Sequence, residues 1–295
     1  MATEVRAFTA VVNPVSGGGK AFAHWEPVAE LLRAAGATVR AERTRSREHA
    51  VQCATEAARR GEVVVAVGGD GMVRDAADGA VRGGGTLGIV PAGRGNDLAR
   101  ALGLPTDPAG LARLLLEGPT RQIDVLDVNG VIAPGNVYIG IDSLATRIIN
   151  ASRWVPALLL YRLAPVRAIL SWRPAGYTVR VDDTAEQRMR AHTVVIANSG
   201  AYGHGLRIVP PAVLDDGLLD VMVVGDGPRS MIVKFMSEAK QGTHVHRPEV
   251  SLRTGLTVTV DADRPVPVCA DGDEIAHLPA TVTLLPAALT IIAPA

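Results

Sequence analysis

The sequence predicts an α/β domain built on a parallel sheet, followed by a second domain made almost wholly of β-strands. Two observations carry this. Three times before Leu98, an apolar run of strand length ends in a polar, glycine-rich turn that opens into helical spacing. From Asn129 onward that alternation stops and β-rich segments follow one another. The boundary is therefore expected after Val128, with residues 1–128 as the first domain and 129–285 as the second.

The first strand runs from Val5 to Asn13, and its turn reads Asn13-Pro14-Val15-Ser16-Gly17-Gly18-Gly19-Lys20. A helix follows with Phe22, Trp25, Val28, Leu31 and Leu32 on one side, ended by Gly36. A short strand, Thr38 to Glu42, leads to Thr44 and then to a helix capped by Ser46, with Ala50, Cys53, Ala54 and Ala57 as a small-residue face. Val63 to Val67 is a run of β-branched and small residues, the mark of a strand buried on both faces. It stops at Gly68-Gly69-Asp70-Gly71, ahead of a helix from about Met72 to Arg82. Gly83-Gly84-Gly85 reads as a flexible link. The next strand, Thr86 to Val90, is closed by Pro91, and its turn Pro91-Ala92-Gly93-Arg94-Gly95-Asn96-Asp97 opens a fourth helix. Further helices are expected at Leu98 to Leu102 and Pro108 to Leu116.

Glycine turns at the carboxyl ends of parallel strands let the backbone approach a ligand, and the helices behind them aim free N–H groups at the same place. Three of them together point to a nucleotide. Asp70 fits such a site only with a cation or proton donor between it and the phosphates, which implies Mg²⁺. The first turn is not a P-loop, because it lacks the Gly-Lys-Ser/Thr ending.

Asn-Pro-x-Ser-Gly-Gly-Gly-Lys, Gly-Gly-Asp-Gly and Pro-x-Gly-x-Gly-Asn-Asp, in this order and spacing, resemble the diacylglycerol kinase catalytic family, which includes sphingosine and ceramide kinases and bacterial lipid kinases. The resemblance implies a fold like that of NAD kinases and diacylglycerol kinases, with a sandwich-like second domain and a last strand, about 286–295, returning to the first. It implies ATP and Mg²⁺ as cofactors. Asn13, Ser16, Gly17, Gly18, Gly19 and Lys20, then Gly68, Gly69, Asp70 and Gly71, then Pro91, Gly93 and Asn96 would contact the nucleotide, with Thr44 facing it. Asp97 and Asp124 would belong to an acidic network near the metal. Two positions depart from the family: Met72 and Arg94 stand where threonine is usual. Met72 removes a hydroxyl, whereas Arg94 offers a charged donor to phosphate.

Composition narrows the partners. The chain has 295 residues with 30 basic and 30 acidic side chains, so no global field favours nucleic acid. Its lysines are Lys20, Lys234 and Lys240, the other basic residues being arginine. Cys53 and Cys269 lie far apart without metal-ligand spacing, and the start lacks a secretion signal, so a cytoplasmic protein with free thiols is expected. No apolar run is long enough to span a bilayer. A lipid substrate would then be met at the membrane surface, at the inner face, by peripheral contact. The oligomeric state is left open, a homodimer included.

In the second domain, Asn136-Val137-Tyr138-Ile139-Gly140-Ile141-Asp142 resembles the strand with asparagine and Gly-x-Asp found in the family. Ile148 to Trp172 holds Trp154, Leu158, Leu159, Leu160 and Trp172 among arginines, a composition suited to a bilayer interface or to core helices. Strands are expected at Tyr177 to Asp182 and His192 to Asn198, the latter entering a glycine loop with His204, to which no catalytic role is given. Asp215-Asp216-Gly217-Leu218-Leu219-Asp220 offers hard oxygen ligands. The resemblance makes it a structural metal loop, with Asp216 as ligand and Asp220 in support. A helix from Ser230 to Gln241 precedes His244-x-His246, which has no third ligand for zinc. Strands Thr254 to Asp261 and Val266 to Cys269 lead to Asp271-Gly272-Asp273-Glu274, and a last strand spans Leu289 to Ile292. The family carries Asp-Gly-Glu here, its glutamate being the general base. This chain aligns Asp273 with that glutamate and has Glu274 beside it, so either acid, with Asp271 at the head of the motif, is a catalytic candidate.

The expected chemistry is transfer of the γ-phosphate of ATP to the hydroxyl of diacylglycerol or a related lipid. Asp273 or Glu274 accepts the alcohol proton, and a carboxylate with a pKa of about 4 is ionised for that task at neutral pH. Three alternatives stand beside it: a sphingoid or other lipid kinase, a soluble-substrate kinase of the NAD kinase type, and a non-catalytic nucleotide or lipid binder. Met72 and Arg94 support the last.

Overall fold

The structure, a computed structural model, describes residues 6–151, 166–203 and 205–294. It divides into two compact units, one of residues up to Val125 together with those from Pro286 on, the other Leu126–Leu285.

In the first unit, β1 (Ala7–Val12), β2 (Thr38–Arg43), β3 (Val63–Gly68) and β4 (Thr86–Pro91) pair in parallel in the order β2-β1-β3-β4. The end of β15 (Ala280–Ile292) adds in parallel beside β4 through Thr290 and Ile291. Every residue of β3 is buried, as its Val-Val-Val-Ala-Val run requires of a central parallel strand. α2 (Ala21–Ala34) and α6 (Pro108–Glu117) cover one face, where Trp25, Val28, Leu32 and Leu115 pack with Phe8, Val65 and Val67. Residues alternating with these along the strands point to the other face. There α3 (Arg47–Arg59), capped by Ser46, packs against α4 (Asp70–Gly83).

The α3–α4 contact depends on missing side chains. A Cβ on Gly79 would lie 2.4 Å from that of Ala54, and one on Gly83 would lie 2.5 Å from that of Ala58. This corrects the expectation of a flexible link at Gly83-Gly84-Gly85. Gly83 and Gly85 both press on Ala58, and Gly84 supplies the left-handed helix cap at φ 68°.

The first unit is completed by α5 (Asp97–Ala101), and β5 (Thr120–Val128) then carries the chain onward. It turns back at once into β6 (Val131–Ala133) through Asn129 and Gly130, both at positive φ. Asn-Gly favours the tight hairpin turns whose twist matches that of paired strands.

The second unit is an antiparallel sheet. β7 (Asn136–Gly140), β8 (Ala175–Val181), β9 (Gln187–Ala197), β12 (Thr257–Ala262), β13 (Pro267–Ala270), β14 (Asp273–His277) and the start of β15 lie in the order β14-β13-β7-β9-β8-β12-β15. β10 (Leu219–Gly225) also pairs with β9, and β11 (Val250–Gly255) with β10. Two apolar clusters form on this sheet: one around Ile139, Tyr177, Ile196 and Val268, the other around Tyr138, Val195, Met222 and Phe235. α7 (Ile141–Ala151) follows β7 directly, and α8 (Arg229–Ala239) follows β10.

Two strand expectations are revised. Thr254 to Asp261 is not one strand but β11 and β12, broken at Leu256, where Asp182 Oδ1 accepts the N–H groups of Leu256 and Thr257 at 2.9 and 2.8 Å. The last strand begins well before Leu289, because its first residues pair with β12 in one unit and its last with β4 in the other. Of the aromatic stretch from Ile148 to Trp172, residues 152–165 lie outside the described residues, as does His204. Trp172 is buried, with the Arg264 guanidinium 4.9 Å above its ring. His244 is buried too, its Nε2 2.7 Å from the Ile208 carbonyl oxygen. Among the described residues no helix is long and apolar enough to cross a membrane.

Candidate active site

The glycine turns of the first unit meet backbone to backbone. After β1, the Asn13 N–H donates to the Val67 carbonyl at 3.2 Å, and its side chain Oδ1 accepts the Val15 N–H at 3.1 Å. The helical turn α1 (Ser16–Gly19) is then wound through three consecutive residues at positive φ, Gly17, Gly18 and Gly19. L side chains avoid this conformation, so the triplet is needed for the path itself. A Cβ on Gly17 would meet the Ala92 carbonyl oxygen at 2.6 Å, and one on Gly68 would sit 3.1 Å from Ser16 Oγ. Gly69 and Gly93 are closer still: a Cβ on Gly93 would lie 2.2 Å from Gly69 Cα. All three turns therefore line one cradle of bare backbone.

Asp70 locks two of them together. Its Oδ2 accepts the Asn96 N–H at 2.9 Å and its Oδ1 the Asp97 N–H at 2.6 Å, so the acid of the second turn caps α5 behind the third. Asn96 adopts φ 54° and spends its side chain inward, Oδ1 accepting the Gly93 N–H at 2.9 Å and Nδ2 donating to the Gly93 carbonyl at 3.1 Å. Asn96 thus occupies the cap position without capping. Burial, and then the neighbouring Asp97, push the Asp70 carboxyl up to about 6. Arg100 partly balances Asp97, at 3.5 Å.

The remaining candidates of this unit are scattered in role. Thr44 is buried at the end of β2 and its hydroxyl donates to the Val12 carbonyl at 3.2 Å. Met72 is buried under Gly68, whereas Lys20 and Arg94 are exposed. Pro91 ends β4, and Gly71 lies in the first turn of α4. Asp124 is buried in β5, where it accepts the Ala287 N–H at 2.7 Å and so holds β15.

In the second unit, Asp271 and Gly272 form the two-residue turn between β13 and β14, both at positive φ. Ala270 pairs with Asp273 and Cys269 with Glu274, so the two acids leave the strand on opposite faces. Glu274 is ion-paired to Arg147 of α7 at 3.3 Å, and its other oxygen lies 3.1 Å from His277 Nε2. The turn is gripped by residues to which the sequence reading gave no role. The Gly272 N–H donates to the Tyr138 hydroxyl at 3.1 Å, and Asn150 Nδ2 donates to the Gly272 carbonyl at 3.0 Å. Their only sequence signal is the position of Tyr138 inside the asparagine-containing strand motif.

On the acidic loop, Asp216 Oδ1 accepts the Leu218 N–H at 3.0 Å, and Asp220 is buried in β10. Burial, with Asp216 next, pushes the Asp220 carboxyl up to about 6. Two close carboxylates, one of them buried, suit a hard cation chemically. Among the described residues no group of three or more His, Cys, Asp or Glu side chains could hold a metal ion, so backbone carbonyls or water would have to complete such a shell.

Comparison with known proteins gives one consistent result. Residues 7–128 match the family described as diacylglycerol kinase catalytic domain, and residues 135–293 match the YegS C-terminal NAD kinase beta sandwich-like domain. A diacylglycerol kinase of Mycobacterium tuberculosis strain H37Rv is 33% identical over 299 residues, covering 99% of this chain and 96% of that protein. One from Bacillus subtilis is 27% identical, covering 91% and 90%. A probable lipid kinase YegS-like protein of Pseudomonas aeruginosa is 32% identical, covering 79% and 76%. A diacylglycerol kinase structure from Bacillus anthracis shares the fold with a TM-score of 0.78 at 21% identity, covering 99% of this chain and 98% of that one.

Proposed function

The chain belongs to the diacylglycerol kinase catalytic family of lipid kinases, and from that premise we propose that it transfers the terminal phosphate of ATP to the hydroxyl of diacylglycerol or a closely related lipid alcohol. The observation that carries the proposal is the backbone cradle, in which Gly17, Gly69 and Gly93 let three turns pack backbone against backbone where any Cβ would collide with the neighbouring turn. Such a cradle fits polyphosphate, which backbone N–H groups can approach without side chains between. Magnesium, which ordinarily travels with the nucleotide phosphates, would neutralise charge as it develops on the transferred group. Asp97 is the acid of this unit best suited to the metal's water shell, since both oxygens of Asp70 already accept backbone N–H groups. Asp216 and Asp220 would hold a separate structural cation.

The alcohol proton needs an acceptor, and we assign it to Asp273. By its resemblance to the family's Asp-Gly-Glu motif it stands where that base would, while Glu274 on the opposite face is held by Arg147 and His277. A positioned general base is worth roughly a hundredfold or more in rate. Asp273→Asn is therefore expected to lower turnover by about that factor, and Glu274→Gln by less than about tenfold. Approach to a lipid would be peripheral, at the membrane surface.

The test offers the purified protein ATP and Mg²⁺ with diacylglycerol in detergent micelles and, in parallel, sphingosine, ceramide and NAD. Labelled phosphatidic acid is the expected product. Phosphate on a sphingoid base would keep the chemistry and replace the substrate, phosphate on NAD alone would make this a soluble-substrate kinase, and nucleotide binding without product would make it a binder.

A further inference from the structure

We infer that Tyr138 is a positioning residue for the acidic hairpin, its hydroxyl holding the Gly272 N–H one residue ahead of Asp273. The inference rests on the kinase reading above for its catalytic consequence, but its structural half stands by itself. The ladder of this hairpin ends at the Ala270–Asp273 pair, so the backbone groups of Asp271 and Gly272 lie outside it. Those groups need partners from elsewhere, and their partners set how the turn is tilted. Here the Gly272 N–H is taken by Tyr138 Oη at 3.1 Å and the Gly272 carbonyl by Asn150 Nδ2 at 3.0 Å.

Tyr138 is built to stay in place. Its side chain is buried, its ring lies parallel to that of Tyr202 with centroids 5.2 Å apart, and Thr146 Oγ1 donates to the same hydroxyl at 3.3 Å. Tyr202 in turn bonds to Asp142, which also accepts from Thr193 Oγ1 at 2.7 Å. Burial raises the Tyr138 hydroxyl far above the working range, so it remains a neutral partner for an N–H at every pH of interest. In the sheet Tyr138 pairs with Cys269, and Val137 pairs with Ala270, so the tyrosine stands on the strand beside the hairpin and reaches across to its tip. An aliphatic residue would fill the core equally well and leave the Gly272 N–H without that acceptor.

The consequence is for the reacting geometry rather than for nucleotide binding. Misplacement of a base by a fraction of an ångström costs rate without changing affinity for the other substrate. The experiment compares the full chain with Tyr138→Phe, which keeps the ring and its stacking, and with Asn150→Ala. Hydrogen exchange of the peptide covering β13 and β14 is read beside steady-state kinetics on the lipid accepted by the unmodified protein. Expected are faster exchange at the hairpin alone, a kcat lowered roughly tenfold, and a KM for ATP within about twofold of the parent. Unchanged exchange in Tyr138→Phe would overturn the anchoring. Faster exchange with unchanged kcat, or a loss carried wholly by KM for ATP, would overturn the positioning role. Absence of transfer by the unmodified chain on every acceptor overturns the kinase reading instead, and the exchange arm still decides the anchor.

Discussion

Asp70 joins two glycine turns, its carboxylate accepting the Asn96 and Asp97 N–H groups of the turn after β4. Three glycines around one acid at a strand end read as a ligand-facing turn, and in the structure Gly69 lies against Gly93, a contact of turn with turn that a Cβ would obstruct. What no spacing could show is that the acid answers a second turn 26 residues further on, through the Asn96 and Asp97 N–H groups. That partnership makes Asp70 a clamp between turns as well as a candidate for phosphate chemistry. An amide in its place presents one acceptor and one donor, so Asp70→Asn must lose one of the two bonds and turn an N–H group against the other. The expected outcome is a loss of about 1–2 kcal/mol in unfolding free energy, the usual worth of a helix cap, together with a much larger fall in turnover. Denaturant melts and kinetics on one preparation check it: unchanged stability would remove the clamp, and unchanged turnover would remove Asp70 from the site. Tyr138 was illegible for the same kind of reason, since its partner Gly272 lies in a turn whose tilt only the assembled sheet defines.

At the scale of elements, the periodicities located β3 and its helix well and the joints poorly. β3 is legible because a buried parallel strand is apolar throughout, whereas the Gly83-Gly84-Gly85 triplet looks like a linker until α3 is laid against it. The Asn129-Gly130 hairpin was written in the sequence as a turn signal, but it coincides with the domain boundary, which alone explained the change in pattern. Polar joints are equally hidden. Glu62, just ahead of β3, ties four elements: it accepts from Thr9 of β1, from Arg40 of β2 and from Arg60 after α3. The Arg60 hydrogen bond, against the cost of burial and aided by Thr9, holds its carboxyl below the ordinary value. With the folded pKa depressed, this contribution is fully present above the unfolded glutamate value and is lost as pH falls through the folded one. Glu62→Gln is accordingly expected to destabilise the protein by roughly 1–3 kcal/mol at pH 7. The gap from the parent should close only once the pH has fallen through the depressed folded value, where both side chains are neutral. Urea melts across pH measure this, and a gap that persisted at low pH would show that charge is not its source.

For the whole molecule, the sequence reading saw two domains from the switch between βα and ββ patterns, and it took the return of the last strand from family likeness rather than from any local signal. The structure shows why no local signal exists. β15 is one continuous strand of 13 residues that pairs with β12 at its start and β4 at its end, so the chain passes from one unit to the other inside a regular element. The first unit is thus assembled from both ends of the chain. Its borrowed strand buries Leu289, Ile291 and Ile292 completely or almost so. Each such side chain is worth roughly 2 kcal/mol of burial, and together they approach the 5–15 kcal/mol by which a whole domain is usually stable. Removal of residues 286–295 would also turn β4 into an open edge beside a fully apolar β3. The shortened chain is therefore expected to lose the first unit while keeping the second, whose antiparallel pairs are complete without those residues. Hydrogen exchange separates the two outcomes. Peptides from β1 and β3 should lose protection while those from β7 and β9 retain it; equal loss in both would mean that the units fold only as one, and equal retention that β15 contributes little to the parallel sheet.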